Sequence, residues 1–322
     1  MRIGLVDFDG KIPNLALMKL STYYKQQGAK VFLNEFPRDV DKVYCSVLFT
    51  WNKEKALILR DVYKNIEFGG TGWDITKHLP PEVEKCNPDY ELYQMKDIYK
   101  RLGGIMKKET KIKKAKTLLN MGIGFTSRGC IRNCGFCFVP EKEGKFKQVA
   151  DIKDLINPKS NVITLLDNNF TADPDMIDKC KEIKERDLIV DISQGIDVRL
   201  LTEEKAKALS EIKHLRSIHY AWDLMSFENS IIEGIKLLSK YIKPWKHMCF
   251  MLVGFNTSFE EDMYRFRRLV EMNVDPYVMI YNKKGDARLK HFARWVNGRI
   301  YKVCEWNEYE PWKKAQRQLS FA

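Results

Sequence analysis

The chain has five histidines in 322 residues, and none falls between His78 and His214. This matters because a zinc site needs four Cys, His or acidic donors within reach of one another. No uncharged stretch approaches the roughly 18 residues of a membrane-spanning helix. An apolar secretory leader is lacking too: Met1-Arg-Ile-Gly-Leu-Val-Asp7 reads as a buried strand interrupted early by an acid. These absences predict a cytoplasmic protein with no membrane partner, whose thiols stay reduced. There is no acidic excess, since 55 Lys and Arg stand against 43 Asp and Glu for a net charge of +12. Part of that surplus lies in Lys107–Lys116 and part around Lys283–Arg299. Such a surface can attract nucleic acid, an acidic peptide or an acidic reductase, although no recognisable nucleic-acid-binding module accompanies it.

What the chain does have is eight cysteines, three of them in one run, Cys130-Ile-Arg-Asn-Cys134-Gly-Phe-Cys137. A C-x3-C-x2-C loop can place three thiolates on three irons of a four-iron, four-sulfur cluster. An electron-transfer cluster normally takes four cysteines. A missing fourth ligand leaves one iron open, as a catalytic metal keeps a position for its substrate. Zinc closed by the distant Cys180 or His214 is the competing assignment. A disulfide suits a chain without a secretory leader poorly.

The run resembles the signature of the radical S-adenosylmethionine (SAM) superfamily. The resemblance implies a [4Fe–4S] cluster on Cys130, Cys134 and Cys137, with S-adenosyl-L-methionine chelated at the open iron. One electron, delivered by an external donor such as flavodoxin or ferredoxin, would then release a 5′-deoxyadenosyl radical. It also places Phe136 near the adenine and the backbone around Phe138 in contact with it. The cofactor would carry the hard chemistry while the protein orients it and excludes side reactions.

Two units are expected. In residues 1–105, apolar runs at Ile3–Val6, Val31–Leu33, Val43–Leu48 and Ile66–Phe68 alternate with helical spacing. Leu17, Leu20 and Tyr24 mark one helix, which Gly28 can end, and Glu54–Tyr63 a second. The order implies a small, mostly parallel sheet with flanking helices. Ahead of a radical SAM core, it resembles the cobalamin-binding-type Rossmann domain of one subgroup, with Ser46-Val-Leu48 and Gly69-Gly70 near that domain's motifs. The cobalt-binding histidine motif is absent, and a cofactor-free relic is preferred over cobalamin. Residues 106–121 read as a basic, partly helical linker.

From 122 to 285 strands recur at Gly122–Thr126, Val162–Leu166, Leu188–Ile192, Ser217–Ala221, Cys249–Val253 and Tyr277–Tyr281, with helices between them. Asp173-Pro174 is a helix-start signal, and Ser258-x-x-Glu261 a capping box. Six β/α units fit the partial (β/α)6 barrel of radical SAM enzymes, so the predicted fold class is α/β. Residues 286–322 form an aromatic-rich segment expected to pack on the barrel, with Tyr301 and Cys304 as conceivable hydrogen-atom relays or plain core.

In such a barrel the strand C-termini carry function. The resemblance brings Asp167 and Asn169, in Asp167-Asn-Asn-Phe-Thr171, near the methionine part of the cofactor. Arg199 offers a planar fork for a carboxylate, its alternative being a salt bridge to Glu203 or Glu204. Gln194 or Asp197 can accept from ribose hydroxyls. Gly254 permits close approach to adenine, and Val278 offers its backbone to the adenine edge. The whole chain resembles uncharacterised phage and prophage radical SAM proteins in Gly69–Trp73, Gln194–Arg199 and Ala293–Asn297. This resemblance names no substrate: nucleic acid, peptide and small molecule all stay open. The rival function is a non-catalytic metal or nucleic-acid binding protein that uses the three cysteines structurally.

Overall fold

Alternating buried and half-buried side chains set the first strand, β1 (Arg2–Asp7), in which Ile3 and Leu5 are fully buried. A computed structural model describes residues 1–282 and 286–314; Lys283, in the expected basic stretch, and residues 315–322 of the aromatic tail lie outside them. The chain divides into two compact units. One comprises residues 1–126, 138–144 and 150–164; the other comprises 127–137, 145–149 and the remainder from Leu165.

The first unit builds on β1, α1 (Leu15–Gln26), β2 (Lys30–Leu33), β3 (Lys42–Ser46) and β4 (Ile66–Gly69). These strands form one parallel sheet in the order β2-β1-β3-β4. α1 buries Leu17, Leu20 and Tyr24 on one face, and Gly28 at φ +75° follows it. The expected 54–63 helix appears as two single turns, Lys53–Ala56 and Leu59–Val62, because only Ala56 of this stretch is buried. The basic run is helical: α3 (Lys108–Asn120) follows α2 (Met95–Arg101), with Ala115 and Leu118 buried. β5 (Gly122–Gly124) and β6 (Val162–Leu165) are neighbours in a further sheet.

The strand order reverses between β1 and β3, the place where parallel sheets of this kind open a crevice for ligands. Here that place holds the chain's own side chains. Asp9 carboxylate oxygens accept from the backbone N–H groups of Leu48 (2.7 Å) and Phe49 (3.0 Å) and from Asn52 Nδ2 (3.0 Å). The wholly buried Asp7 side chain accepts from Tyr93 Oη (2.6 Å), Arg101 Nη1 (2.5 Å) and the N–H of Gly10 (3.0 Å). Ser46 Oγ accepts from Asn14 Nδ2 at 2.8 Å. The glycine pair has a packing reason: Gly70 sits at φ +95°, and a Cβ there would lie 2.4 Å from the Val47 carbonyl oxygen. His78 is exposed. A self-satisfied polar network of this kind does not fit a cobalamin cradle.

The second unit carries β7 (Ile189–Ile192), β8 (Ile218–Ala221), β9 (His247–Val253) and β10 (Asp275–Ile280). β8, β9 and β10 pair in parallel, and Ile196, just past β7, bridges Tyr220 of β8 in parallel. The intervening helices are α4 (Met176–Glu185), α5 (Glu203–Glu211), α6 (Glu228–Ser239), α7 (Phe259–Glu271) and α8 (Ala287–Asn297). The Ser258–Glu261 box caps α7, as its local pattern predicts, and Thr202 caps α5. α4 departs from expectation by starting at Met176. Asp173 is fully buried and accepts from the Asp175 N–H (2.9 Å), Lys179 Nζ (2.5 Å) and Gln148 Nε2 (2.8 Å).

Along β9, Cys249, Met251 and Val253 are fully buried while Phe250 and Leu252 lie half-exposed on the other face. The buried face packs against helices. Among them runs an aromatic cluster in which Trp295 lies 4.9 Å from Phe266, and Trp306 lies 5.5 Å from both Phe259 and Trp312. Tyr301 packs edge-on against Phe266, and the Cys304 carbonyl accepts from Trp295 Nε1. The described C-terminal segment therefore nests against α7 and α8, with Tyr301 and Cys304 half-buried in that packing.

Candidate active site

The cysteine loop belongs to the second unit, and three consecutive side chains just past β6 hold its first half. One oxygen of Asp167 accepts from both the backbone N–H (2.5 Å) and the hydroxyl (2.6 Å) of Ser127. Asn168 Oδ1 accepts from the N–H of Gly129 at 2.9 Å. Asn169 Nδ2 lies 3.6 Å from Cys130 Sγ, which also accepts from the Arg132 N–H at 3.4 Å. Ser127-Arg128 further pairs antiparallel with Lys147-Gln148. Asp167 and Asn169 are buried, so their first task is to shape this loop.

A second anchor comes from the segment after β7. Arg132 Nε donates to Asp197 Oδ2 at 3.0 Å. Asp197 also takes Arg199 in a fork, Nε to Oδ1 at 2.6 Å and Nη2 to Oδ2 at 2.9 Å, and accepts the Arg199 N–H at 3.2 Å. Burial alone would raise the pKa of this carboxyl, but the hydrogen bonds and charge of Arg199, then of Arg132, hold it below the usual range. Four donors on two oxygens fill the capacity of a carboxylate. Asp197 thus has no acceptor position left for a ribose hydroxyl, and the expected role is corrected to that of arginine holder. Arg199 pairs with Asp197 rather than with Glu203 or Glu204, and its guanidinium carbon lies 4.5 Å from the Phe227 ring centroid. The Asp197 N–H donates to Thr171 Oγ1 (2.9 Å), whose hydroxyl lies 3.0 Å from Asn169 Oδ1, so the two anchors join.

The loop's second half is looser. Asn133 and Gly135 are exposed, and the Cys137 N–H donates to the Cys134 carbonyl at 2.9 Å. Phe136 meets Phe255 edge-on at 5.5 Å, and Phe255 meets Tyr281 at 4.8 Å. Gly254, exposed at φ +75°, lets the chain turn between β9 and Phe255. Gln194 is exposed. Phe138 belongs to the first unit, where it is 50 % exposed and precedes the short helix Val139–Glu143.

Val278 does not offer a free backbone edge. Its N–H donates to Asn297 Oδ1 (2.7 Å) and its carbonyl accepts from Asn297 Nδ2 (3.0 Å). The α8 amide thereby protects the open side of β10 in place of a further strand. Past β8, Asp223 accepts the Leu252 N–H at 3.1 Å; burial raises its pKa to about 6.

All eight cysteines are thiols. Burial raises the Cys134 thiol, Arg199 opposes the shift, and Cys137, Cys130 and then Asp223 add to it, so the three thiols share one electrostatic neighbourhood. Among the described residues no three His, Cys, Asp or Glu converge on a single-ion site. Three half-buried thiols on one loop suit a cluster that spreads its ligands over separate irons. Sequence reasoning missed Ser127 and Arg132, whereas Asn168 and Thr171 stand in the polar run Asp167–Thr171 that it singled out. The polar run after an apolar strand was the available signal for Asn168, but nothing local marked Arg132.

Residues 125–270 match the family model described as the Radical SAM superfamily. No curated protein matches the chain. Among solved structures, the chain is similar to SuiB of Streptococcus suis bound to precursor peptide SuiA. The identity is 15 % over 61 % of this chain and 53 % of that one, with a TM-score of 0.39. SuiB bound to S-adenosylmethionine is similar at 14 % identity over 64 % and 57 %, with a TM-score of 0.39. The chain spans little more than half the length of these structures. The matched residues, a little under half of the chain, contain the whole cysteine loop and both of its anchors, so this part of the chain is similar to the radical SAM superfamily.

Proposed function

We propose that this protein is a radical SAM enzyme in which Cys130, Cys134 and Cys137 hold a [4Fe–4S] cluster. The single observation that carries this reading is the cysteine loop itself, three thiols on a segment anchored by the polar exits of β6 and β7. When bound, the cluster and S-adenosylmethionine supply reductive cleavage to a 5′-deoxyadenosyl radical.

The chain's own residues bind and orient. Two arginines around one aspartate leave a net positive charge beside Cys134, suited to the carboxylate of the cofactor, with Arg199 the presenting group. Phe136, Phe255 and Tyr281 form an aromatic path next to the turn at Gly254, suited to a planar base. The six strands are read as the partial (β/α)6 barrel of the superfamily, and the first unit as a Rossmann-like domain that works without cobalamin. The net charge of +12 suits an acidic electron donor such as flavodoxin or ferredoxin, and a cytoplasmic setting suits the cluster. The substrate class remains a choice among nucleic acid, peptide and small molecule.

Anaerobic reconstitution followed by reduction with S-adenosylmethionine present tests the reading. About four irons with matching sulfide per chain and release of 5′-deoxyadenosine are expected. Stoichiometric zinc, or a cluster that never cleaves the cofactor, overturns it.

A further inference from the structure

Between Ser127 and Arg132 the cysteine loop is tied at four positions. Ser127 is held by Asp167, Gly129 by Asn168 and Cys130 by Asn169, while Arg132 reaches Asp197. The first three ties come from one short segment, and two of them grip backbone that any residue would supply. The fourth depends on a side chain inside the motif, the middle residue of the three between Cys130 and Cys134. It is also the tie closest to Cys134, after which the chain runs exposed through Asn133 and Gly135. Asp197 has a side chain only 7 % exposed, and Arg132 one 36 % exposed, so this pair is better shielded than a surface ion pair.

We infer that Arg132 and Asp197 form a latch that sets the course of the loop from Cys130 to Cys134 before iron arrives, with Arg132 a positioning residue for the cluster. The inference rests on the cluster-bearing reading of the loop only for its purpose, since the latch is a property of the metal-free chain. Asp197 carries a second load, because it also fixes Arg199. The two variants should therefore differ in kind. Arg132→Met frees the loop yet leaves Asp197 satisfied by Arg199. Asp197→Asn frees the loop and brings two unneutralised guanidiniums together, and adding Arg132→Met to it should cost less than the single effects summed.

Hydrogen exchange of the metal-free protein, read by mass spectrometry, tests the latch directly. In Arg132→Met, amide exchange across residues 130–137 should rise about ten-fold, the scale of a lost charge-assisted hydrogen bond, while α7 stays unchanged. Arg132→Lys, which keeps the charge, should recover most of the protection. On reconstitution Arg132→Met should take up iron and sulfide more slowly, and its reduced cluster should show a broadened paramagnetic resonance spectrum that Arg132→Lys narrows again. Exchange within about two-fold of wild type in Arg132→Met overturns the latch. A rise spread over the whole unit overturns it as well, by reducing Arg132 to a general stabiliser. A wild-type protein that shows the exchange difference but never binds iron keeps the latch and removes the cluster reading.

Discussion

Asp167 and Ser127 share one oxygen: Oδ1 of the buried carboxylate accepts both the N–H and the hydroxyl of Ser127, at 2.5 and 2.6 Å. The root of the cysteine loop hangs from this atom. In Asp167→Ala two buried donors lose their acceptor, which costs about 3 kcal/mol of stability. The loop start would also swing free, so iron retention after reconstitution should fall sharply. Asp167→Asn keeps a carbonyl oxygen and should lose much less of both. Chemical unfolding of the metal-free variants, set beside their iron content, checks this ranking; equal behaviour of the two variants refutes it.

Asp223 gives a pH prediction of definite sign. Burial raises its pKa to about 6, with the Leu252 N–H, Arg265 and Arg199 pulling the other way, against about 3.9 in an unfolded chain. Between these values the folded protein holds a proton that the unfolded chain has released. The contribution of this group to stability therefore falls as pH rises from about 4 to about 6, and is flat above. Asp223→Asn can still accept from Leu252 and has no charge to bury. Relative to wild type it should gain stability across that window, by up to about 3 kcal/mol. Urea unfolding of both proteins at intervals from pH 4 to 7 reads the difference directly; parallel curves would mean that Asp223 titrates at its ordinary position.

Arg265 is wholly buried, and it spans two strand exits. Nη1 donates to the Trp222 carbonyl past β8, Nη2 to the Leu252 carbonyl of β9 at 2.7 Å, and Nη2 also to Asp262 at 2.5 Å. Removing the guanidinium strands a buried carboxylate and two carbonyls. Arg265→Met should destabilise the protein by about 3–5 kcal/mol, visible as a large loss of midpoint in denaturant. The double variant Arg265→Met with Asp262→Leu, which removes the stranded charge, should recover part of that loss. No recovery would show that the carbonyl clamp, and not the ion pair, carries the cost.

These sites also mark how far the sequence was legible. Ser258 and Glu261 act within one helical turn, so their cap was readable from spacing alone. The parallel strands came from apolar periodicity and appear near their expected ranges. Asp173 does take the Asp175 N–H locally, but its other partners, Gln148 and Lys179, lie 25 and 6 residues away. Asp197 was visible as a polar residue past a strand, but its saturation depends on Arg132, 65 residues earlier. The Val278 N–H is taken by Asn297, a neighbour that only tertiary packing supplies. Local chemistry was readable, whereas the partners of buried charges were not.

The first unit yields the last prediction. In parallel sheets of this order, the crevice where strand order reverses is where ligands dock, often with backbone N–H groups facing an anion. Here the Leu48 and Phe49 N–H groups face the Asp9 carboxylate, so the chain supplies its own anion. Asp7, Tyr93 and Arg101 fill the adjoining space. Hydroxocobalamin should accordingly leave the absorbance and thermal midpoint of the intact protein unchanged. Asp9→Ala should cost about 1–3 kcal/mol, because two backbone donors and Asn52 lose their acceptor. Inorganic phosphate at millimolar concentration should then stabilise Asp9→Ala more than wild type, by filling the vacated acceptor position. Stoichiometric cobalamin uptake by wild type would refute the self-filled reading, as would a variant that melts with wild type and ignores phosphate.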